Sequence, residues 1–249
     1  MDGAAHPAAA APPGASPGPA FAGRGVTLEV VVTSLVDARA AAAGGATRLE
    51  VAVQLSDDGL TPPLALVRQI RDEISLPLRV MLRQSPSWAP RHAQEIEQLA
   101  ATAEALARLG VDGLVLGFLR EGRVDVGLLC RLLGSAPLLA ATFHRAFDAV
   151  TYPAEALTAL KTCEQVDLVL TAGGGGEWAA RLENWRRWPI LARPEMTIVA
   201  AGGLDVAAIA ELRARTELRQ FHVGRAARPA GWDSPVSVER VRELRAAAG

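Results

Sequence analysis

Residues 28–53 read LEVVVTSLVDARAAAAGGATRLEVAV. Two short runs rich in valine, at 28–33 and 48–53, flank an alanine-rich stretch. That stretch begins with Ser34 and has an acid three residues later, at Asp37, which is typical of a capped helix start. Parallel strands that are buried on both faces carry such apolar runs. The segment therefore predicts a strand–helix–strand unit.

The same alternation continues to the end of the chain and predicts the fold class. Six more strand candidates lie at 77–83, 113–119, 138–144, 166–172, 196–201 and 219–224. Helical periodicity occurs at 34–43, 93–109, 152–163, 177–188, 205–215 and 238–248. Eight such units within residues 26–249 favour an α/β fold, a (β/α)8 TIM-type barrel that forms a single domain. The alternative is a doubly wound open sheet, but the expected GxGxxG turn does not follow the first strand candidate.

Composition narrows the class of protein. Half of the 249 residues are hydrophobic, and 26 basic residues balance 27 acidic ones, which argues against nucleic acid or an anionic membrane as a partner. No apolar run is long enough for a membrane span, so we expect a cytoplasmic globular protein.

Two cysteines, Cys130 and Cys163, exclude a disulfide scaffold and show no zinc spacing. Residues 1–25 are mostly alanine, proline and glycine, which predicts a disordered tail.

Two of the predicted strands each contain one acid, Glu29 and Glu50. A buried carboxylate is costly unless it is paired or bonded to a ligand. One interpretation is a structural ion pair with Arg48, Arg79 or Arg83. The other is a general base or a ligand-anchoring group with a shifted pKa.

The segment TFHRAFD, residues 142–148, ends the fifth predicted strand. In a barrel of this kind the active face is formed by the carboxyl ends of the strands. His144 can exchange a proton near neutral pH there, and Asp148 can orient its ring or bind substrate. The alternative is a core histidine followed by a helix-capping aspartate.

Glycines follow the last three predicted strands, in TAGGGG (171–176), AAGGLD (200–205) and FHVGRAAR (221–228). Such turns let backbone N–H groups approach an anion, although glycine also simply permits tight turns. The candidate catalytic set is Glu29, Glu50, His144 and Asp148. The candidate substrate-binding set is Arg83, Arg145, Thr171, Gly173, Gly174, Gly202, Gly203, His222, Gly224 and Arg225.

Several segments resemble the CutC family of copper homeostasis proteins. They are LEV with a serine at 28–34, RLE and DGLTP within 48–62, TFHRAFD at 142–148, LTAGG at 170–174 and AAGG at 200–203. The resemblance covers nearly everything after the tail. It implies a TIM-type barrel, a cytoplasmic location, a role in copper homeostasis and copper as the ion concerned.

The chain differs from that family at the positions proposed to bind copper. Members proposed to bind copper carry cysteines at positions that match Val31 and Ala52, and cuprous ion favours thiolate ligands. The family pattern also differs at Gln84, Ser85 and Ala172. We therefore predict no metal ligands and no thiolate copper site.

Three functions stay open from the sequence. The first is a CutC-type role in copper homeostasis. The second is an enzyme that acts by acid/base chemistry on a small anionic or phosphorylated molecule. The third is a scaffold whose polar mouth is filled by ion pairs. A small, anionic molecule is the expected partner, and homo-oligomerisation is left open.

Overall fold

A computed structural model describes residues 25–249. Apart from Gly25, the predicted tail lies outside the described residues, and its disorder stays a prediction. Eight parallel strands close into a barrel in which the last strand pairs with the first. They are β1 (Thr27–Val32), β2 (Arg48–Val51), β3 (Leu78–Met81), β4 (Gly113–Leu116), β7 (Ala140–Phe143), β8 (Val166–Thr171), β9 (Thr197–Ala200) and β10 (Gln220–Val223). The predicted TIM-type barrel is confirmed, and closure excludes the open sheet.

Eight helices surround this barrel within the described range. They are α1 (Leu35–Gly44), α2 (Leu64–Glu73), α3 (Ala93–Arg108), α4 (Val126–Gly134), α5 (Pro153–Leu160), α6 (Trp178–Ala192), α7 (Val206–Arg215) and α8 (Val238–Ala248). All six helical predictions are present, whereas α2 and α4 were not predicted. A small hairpin, β5 (Leu119–Arg120) with β6 (Arg123–Val124), precedes α4. Across residues 25–249, no helix has the length and apolar character that crossing a membrane requires.

Side chains alternate between the two faces of each strand. In β1, Leu28, Val30 and Val32 belong to the large core between sheet and helices. The intervening Glu29 and Val31 face the barrel interior. Within the described part of the chain, the barrel interior contains two small apolar groups, which are Val31 with Ala52, Met81 and Val115, and Leu168 with Leu170, Val199 and Ala201. The rest of the lumen is left for polar side chains.

The two cysteines form a disulfide. Cys130 lies in α4. Cys163 lies just beyond the end of α5, although the sequence predicted that the helix would include it. The bond ties α4 to the turn that leads into β8.

Candidate functional site

Glu29 lies inside the barrel in an ion-pair network. Arg48 Nε donates to Glu29 Oε2, and Arg48 Nη1 donates to Gln220 Oε1 at 3.0 Å. All three side chains are buried. Burial alone would raise the pKa of Glu29, but the charge of Arg48 and the hydrogen bond with His222 outweigh it and hold that pKa well below its usual value. Glu29 is therefore an ionised carboxylate, and the predicted ion pair with Arg48 is present.

His222 joins the two strand glutamates. Its Nδ1 lies 2.8 Å from Glu29 Oε1 and 3.6 Å from Glu50 Oε2. Burial and the neighbouring charge of Glu29 raise the pKa of Glu50 to about 7, although His222 opposes the shift. Burial lowers the pKa of His222, but the two carboxylates outweigh it and raise the pKa overall. The protonation of each of the three groups therefore depends on that of the other two.

A second buried cation, Arg79, is paired differently from the sequence-based expectation. Its Nη2 lies 2.6 Å from Asp167 Oδ2, and its Nη1 donates to Asp167 Oδ1 at 2.7 Å and to Thr142 Oγ1 at 2.8 Å. Arg79 thus neutralises Asp167 rather than Glu50. Glu50 keeps one buried carboxylate oxygen, Oε2, with no hydrogen-bond partner among residues 25–249.

His144 follows β7 directly and caps the short 3-10 turn that comes next. Its Nδ1 accepts a hydrogen bond from the backbone N–H of Ala146 at 3.2 Å, and its ring packs against Trp88 with centroids 5.1 Å apart. Burial and the charge of Arg83 lower the pKa of His144 to about 3. The ring is therefore neutral. Because Nδ1 is an acceptor, the proton lies on Nε2, which has no partner within the described residues.

Arg83 holds loops together. Its guanidinium donates to the carbonyl oxygens of Asp57, at 3.0 Å, and Pro86, and it stacks on Trp88 at 4.3 Å. The side chain is 3% exposed. A substrate-binding role for Arg83 stays a prediction, and its observed contacts are with the protein itself.

Asp148 organises the turn after β8 and does not hydrogen-bond to His144. One carboxylate oxygen, Oδ1, accepts from Thr171 Oγ1 and from the N–H of Gly174, and the other accepts from the N–H of Ala172 at 2.9 Å. Arg145 Nε lies 3.2 Å from Oδ2. The predicted orienting role for the histidine ring is therefore not observed, since the ring is fixed by the backbone instead.

Steric contacts at the barrel mouth leave no room for a side chain at several of the predicted glycines, of which Gly202 and Gly224 are the most crowded. Gly202 has φ +82°, and a Cβ there would lie 2.4 Å from the Cβ of Ala172. A Cβ at Gly224 would lie 2.4 Å from the ring of Trp232. These glycines let neighbouring loops approach one another closely at the barrel mouth.

A cavity of about 580 Å³ opens at the carboxyl ends of β1, β8, β9 and β10. Three arginines and one acid line it, together with backbone from the three glycine turns. The charged residues are Arg145, Arg181, Arg225 and Asp58. Among the predicted substrate-binding residues, those lining it are Arg145, Gly174, Gly202, Gly203, His222, Gly224 and Arg225.

A smaller cavity of about 110 Å³ adjoins the first and reaches into the barrel. Glu50, His144 and His222 line it beside Met81 and Trp88. Both cavities share Val31, Leu55, Asp58, Arg145, His222 and Trp232 as lining residues. The remaining predicted site residues, Glu29, Arg83, Asp148, Thr171 and Gly173, line neither.

Three residues at the mouth were missed by the sequence reasoning. Arg181, in the first turn of α6, donates to the carbonyl oxygens of Ala172 and Gly202 at 2.6 and 3.1 Å. Trp88 lies in a loop and Trp232 in the short 3-10 turn Gly231–Asp233, and neither segment carries a periodic signal. Of the three, Arg181 could have been predicted, because it is a cation that follows the GGGG run, where an anion site was expected.

Sequence comparison now identifies the family. The pattern of the CutC family matches residues 26–227. The chain belongs to the CutC family. A CutC family protein from Xylella fastidiosa strain Temecula1 is 34% identical over 214 residues, which are 84% of this chain and 79% of that protein. The human "Copper homeostasis protein cutC homolog" is 32% identical over 206 residues, covering 82% of this chain and 75% of the relative.

Solved structures support the same fold for this CutC barrel. The "putative copper homeostasis protein CutC" from Streptococcus agalactiae superposes with a TM-score of 0.73 and 20% identity, covering 80% of this chain and 98% of that one. Thiamine phosphate pyrophosphorylase from Pyrococcus furiosus superposes with a TM-score of 0.59 and 17% identity, and the match covers 90% of this chain and 95% of that one. At such identities the likeness concerns the barrel alone.

The mouth of this CutC barrel does not offer the ligands that cuprous ion favours. Val31 and Ala52 pack with Met81 in an apolar group, and among residues 25–249 the thioether of Met81 is the only sulfur that lines either cavity. Both cysteines are joined to each other outside the barrel. Among the described residues, one group of acid and histidine side chains has metal-binding geometry. In Glu29, Glu50 and His222, one ligand atom of each lies within 4.8 Å of the others.

Proposed function

We propose that this chain serves copper homeostasis, the role named for its human relative, by binding a small anionic molecule at the barrel mouth in the cytoplasm. Family membership supports the copper-linked role. The arginines that line the mouth support an anionic ligand. Copper is not bound by thiolates in this proposal, because Val31 and Ala52 occupy the two positions where the family's proposed ligands lie.

The observation that carries the proposal is the charge around the larger cavity. Arg145, Arg181 and Arg225 line it together with one acid, Asp58, and Asp148 behind the lining pairs with Arg145. Arg145 lies 3.8 Å from Asp58, so that pair is loose. The cavity lies beyond the last two strands of the barrel, where many TIM-type barrels bind phosphate. The surplus of guanidinium groups favours an anion of that kind.

Titration with inorganic phosphate and pyrophosphate, in buffer containing EDTA, tests this proposal. Binding to the folded state should raise the melting temperature as ligand exceeds Kd. Arg225→Gln should weaken binding at least about tenfold, because a hydrogen bond to a charged group contributes about 1.5–3 kcal/mol. Arg240→Gln is the matched control, since Arg240 pairs with Glu243 on α8. Equal affinities in both variants, or no binding, would contradict the anion site.

Copper itself is tested by a gain of function. Replacing Val31 and Ala52 with cysteine places two thiols in one apolar group of the lumen. We expect this double variant to bind Cu(I) more tightly than the natural chain, as measured by competition with a chromogenic Cu(I) chelator. Tight stoichiometric binding by the natural chain that disappears in Cys130→Ser would show that thiolates elsewhere supply the site.

A second candidate function is acid/base catalysis on the bound anion. It is favoured by the inner cavity, where Glu50, His144 and His222 line the space that continues from the arginines. Glu29 and Asp148, the other two predicted catalytic residues, line neither cavity. Mass spectrometry of a pool of small phosphorylated compounds, incubated with the chain, would detect turnover. Glu50→Gln should abolish turnover while keeping phosphate affinity. If the natural chain turns over none of the compounds, catalysis is contradicted and binding alone is supported.

A further inference from the structure

The fold brings Glu29, Glu50 and His222 together from three neighbouring strands. Glu29 in β1 is directly opposite His222 in β10, and Glu50 in β2 is opposite Val31 in β1. All three side chains therefore point into the lumen from one sector of the barrel wall. Rigid strands, rather than loops, fix their positions.

The distances between their ligand atoms suit one bound metal ion. Tetrahedral ligands at the usual metal–oxygen and metal–nitrogen distances lie about 3.4 Å apart. His222 Nδ1 lies 2.8 Å from Glu29 Oε1 and 3.6 Å from Glu50 Oε2. An ion that replaces the proton between His222 and Glu29 therefore needs only a small movement of the side chains.

An independent observation points to a missing ligand. Glu50 Oε2 is buried, faces His222 and has no hydrogen-bond partner among residues 25–249. Buried polar atoms are almost always satisfied in folded proteins. A metal ion at this point would satisfy the carboxylate.

The neighbours are compatible with a cation at this position. Arg48 occupies the other oxygen of Glu29, Oε2, and leaves Oε1 for the ion. Both Nη atoms of Arg79 donate to Asp167, and Nη1 also donates to Thr142. Glu50 and His222 also line the inner cavity, so the fourth coordination position opens toward the mouth.

We propose that Glu29, Glu50 and His222 bind one divalent transition-metal ion of the zinc and manganese class, with an open coordination position toward the barrel mouth. Two carboxylates and one imidazole are hard and borderline ligands, which favour such ions over cuprous ion. Binding releases the proton held between His222 and Glu29 to solvent. The site is independent of the proposed anion, and its occupation is measured without phosphate.

The full chain, dialysed against a chelator and then freed of it, is titrated with ZnCl₂ and MnCl₂ by calorimetry, and with CoCl₂ by visible spectroscopy. We expect one ion per chain, with ligand-field bands that report nitrogen and oxygen ligands. Glu50→Gln and His222→Gln should each lose at least about 100-fold in affinity, since even outer-shell changes commonly cost 10–100-fold. Melting curves confirm that each variant is folded.

Matched controls separate this site from other acids and histidines. Glu164→Gln and His92→Gln change exposed residues, and His6→Gln removes the histidine of the tail. All three should keep the affinity of the natural chain. Absence of saturable binding, or equal affinity in Glu50→Gln and Glu164→Gln, would overturn the proposal. Phosphate binding in EDTA would be unaffected by either result, so the two proposals fail separately.

Discussion

Two groups of buried charge lie within the same barrel and differ in how completely they are paired. Arg79 forms two parallel bonds to Asp167 and a third to Thr142. Glu50 lies opposite Arg79 on the neighbouring strand but belongs to a second cluster, in which one of its oxygens has no hydrogen-bond partner among the described residues. Buried ion pairs cost desolvation and are retained only when their geometry is good. Complete pairing in the first group stabilises the barrel, whereas the free oxygen of Glu50 in the second is where the proposed metal ion would bind.

The largest loss of stability is expected from a change in the fully paired group, Arg79 with Asp167. Asp167→Asn should lower the free energy of unfolding by about 3 kcal/mol, because it leaves the buried guanidinium of Arg79 without its counter-charge. Guanidinium chloride unfolding measures this. Glu73→Gln is the control, since the Glu73–Arg39 pair is exposed and such pairs contribute about 1 kcal/mol or less. Similar losses in both would show that burial of Arg79 matters little.

The next effect concerns pH and His144. Unfolded histidine gains a proton below about pH 6.5, but folded His144 resists protonation down to about pH 3 because it is buried beside Arg83 and near Arg145. Stability should therefore fall as pH drops below 6.5, by about 1 kcal/mol per pH unit from this group.

His144→Asn isolates that contribution, because asparagine can still accept from the N–H of Ala146. Its stability between pH 5 and 6.5, measured by urea unfolding, should fall less steeply than that of the natural chain. Parallel curves for the two chains would show that His144 titrates normally.

A smaller effect is expected in the incompletely paired group. Glu50→Gln should change the free energy of unfolding by less than about 1 kcal/mol, because the amide keeps the shape of a side chain whose Oε2 already lacks a partner. A loss as large as that of Asp167→Asn would erase the distinction between the two groups.

The smallest change in stability is expected from removing the predicted tail. Deleting residues 1–25 should leave the melting temperature unchanged, because a segment of alanine, proline and glycine buries little apolar surface. Differential scanning calorimetry of the shortened chain checks this. A clear decrease would show that the tail packs on the barrel and contributes to its stability.

Strands were easier to predict than the contacts inside them. The valine-rich runs identify buried parallel strands directly, whereas α2 is ten residues long and buries only Val67 and Ile70 after two prolines, so few of its positions carry the helical period. The nine-residue α4 buries Leu128, Leu129, Leu132 and Leu133 at helical spacing, but an apolar run this short is ambiguous between helix and strand. Local pattern therefore predicted the barrel and missed two of its helices.

Partners within the site depend on the closed barrel. Arg48 and Gln220 are 172 residues apart in sequence, and Arg79 and Asp167 are 88 apart. No local pattern can choose among several arginines for one acid. Glu29, Glu50 and His222 could be singled out because a polar residue in an apolar strand is conspicuous, whereas Arg181 sits in a helix where an arginine is ordinary.

Trp232 gives the chain an optical probe of its own. The indole lines both cavities and is 38% exposed, stacked near the guanidinium groups of Arg225 and Arg228. Trp185 and Trp188, by contrast, are almost wholly buried. Fluorescence quenching by iodide should therefore select Trp232 over these two, and a molecule that enters the mouth should protect it. Occupancy can thus be followed in the unlabelled protein, even before the ligand has been identified.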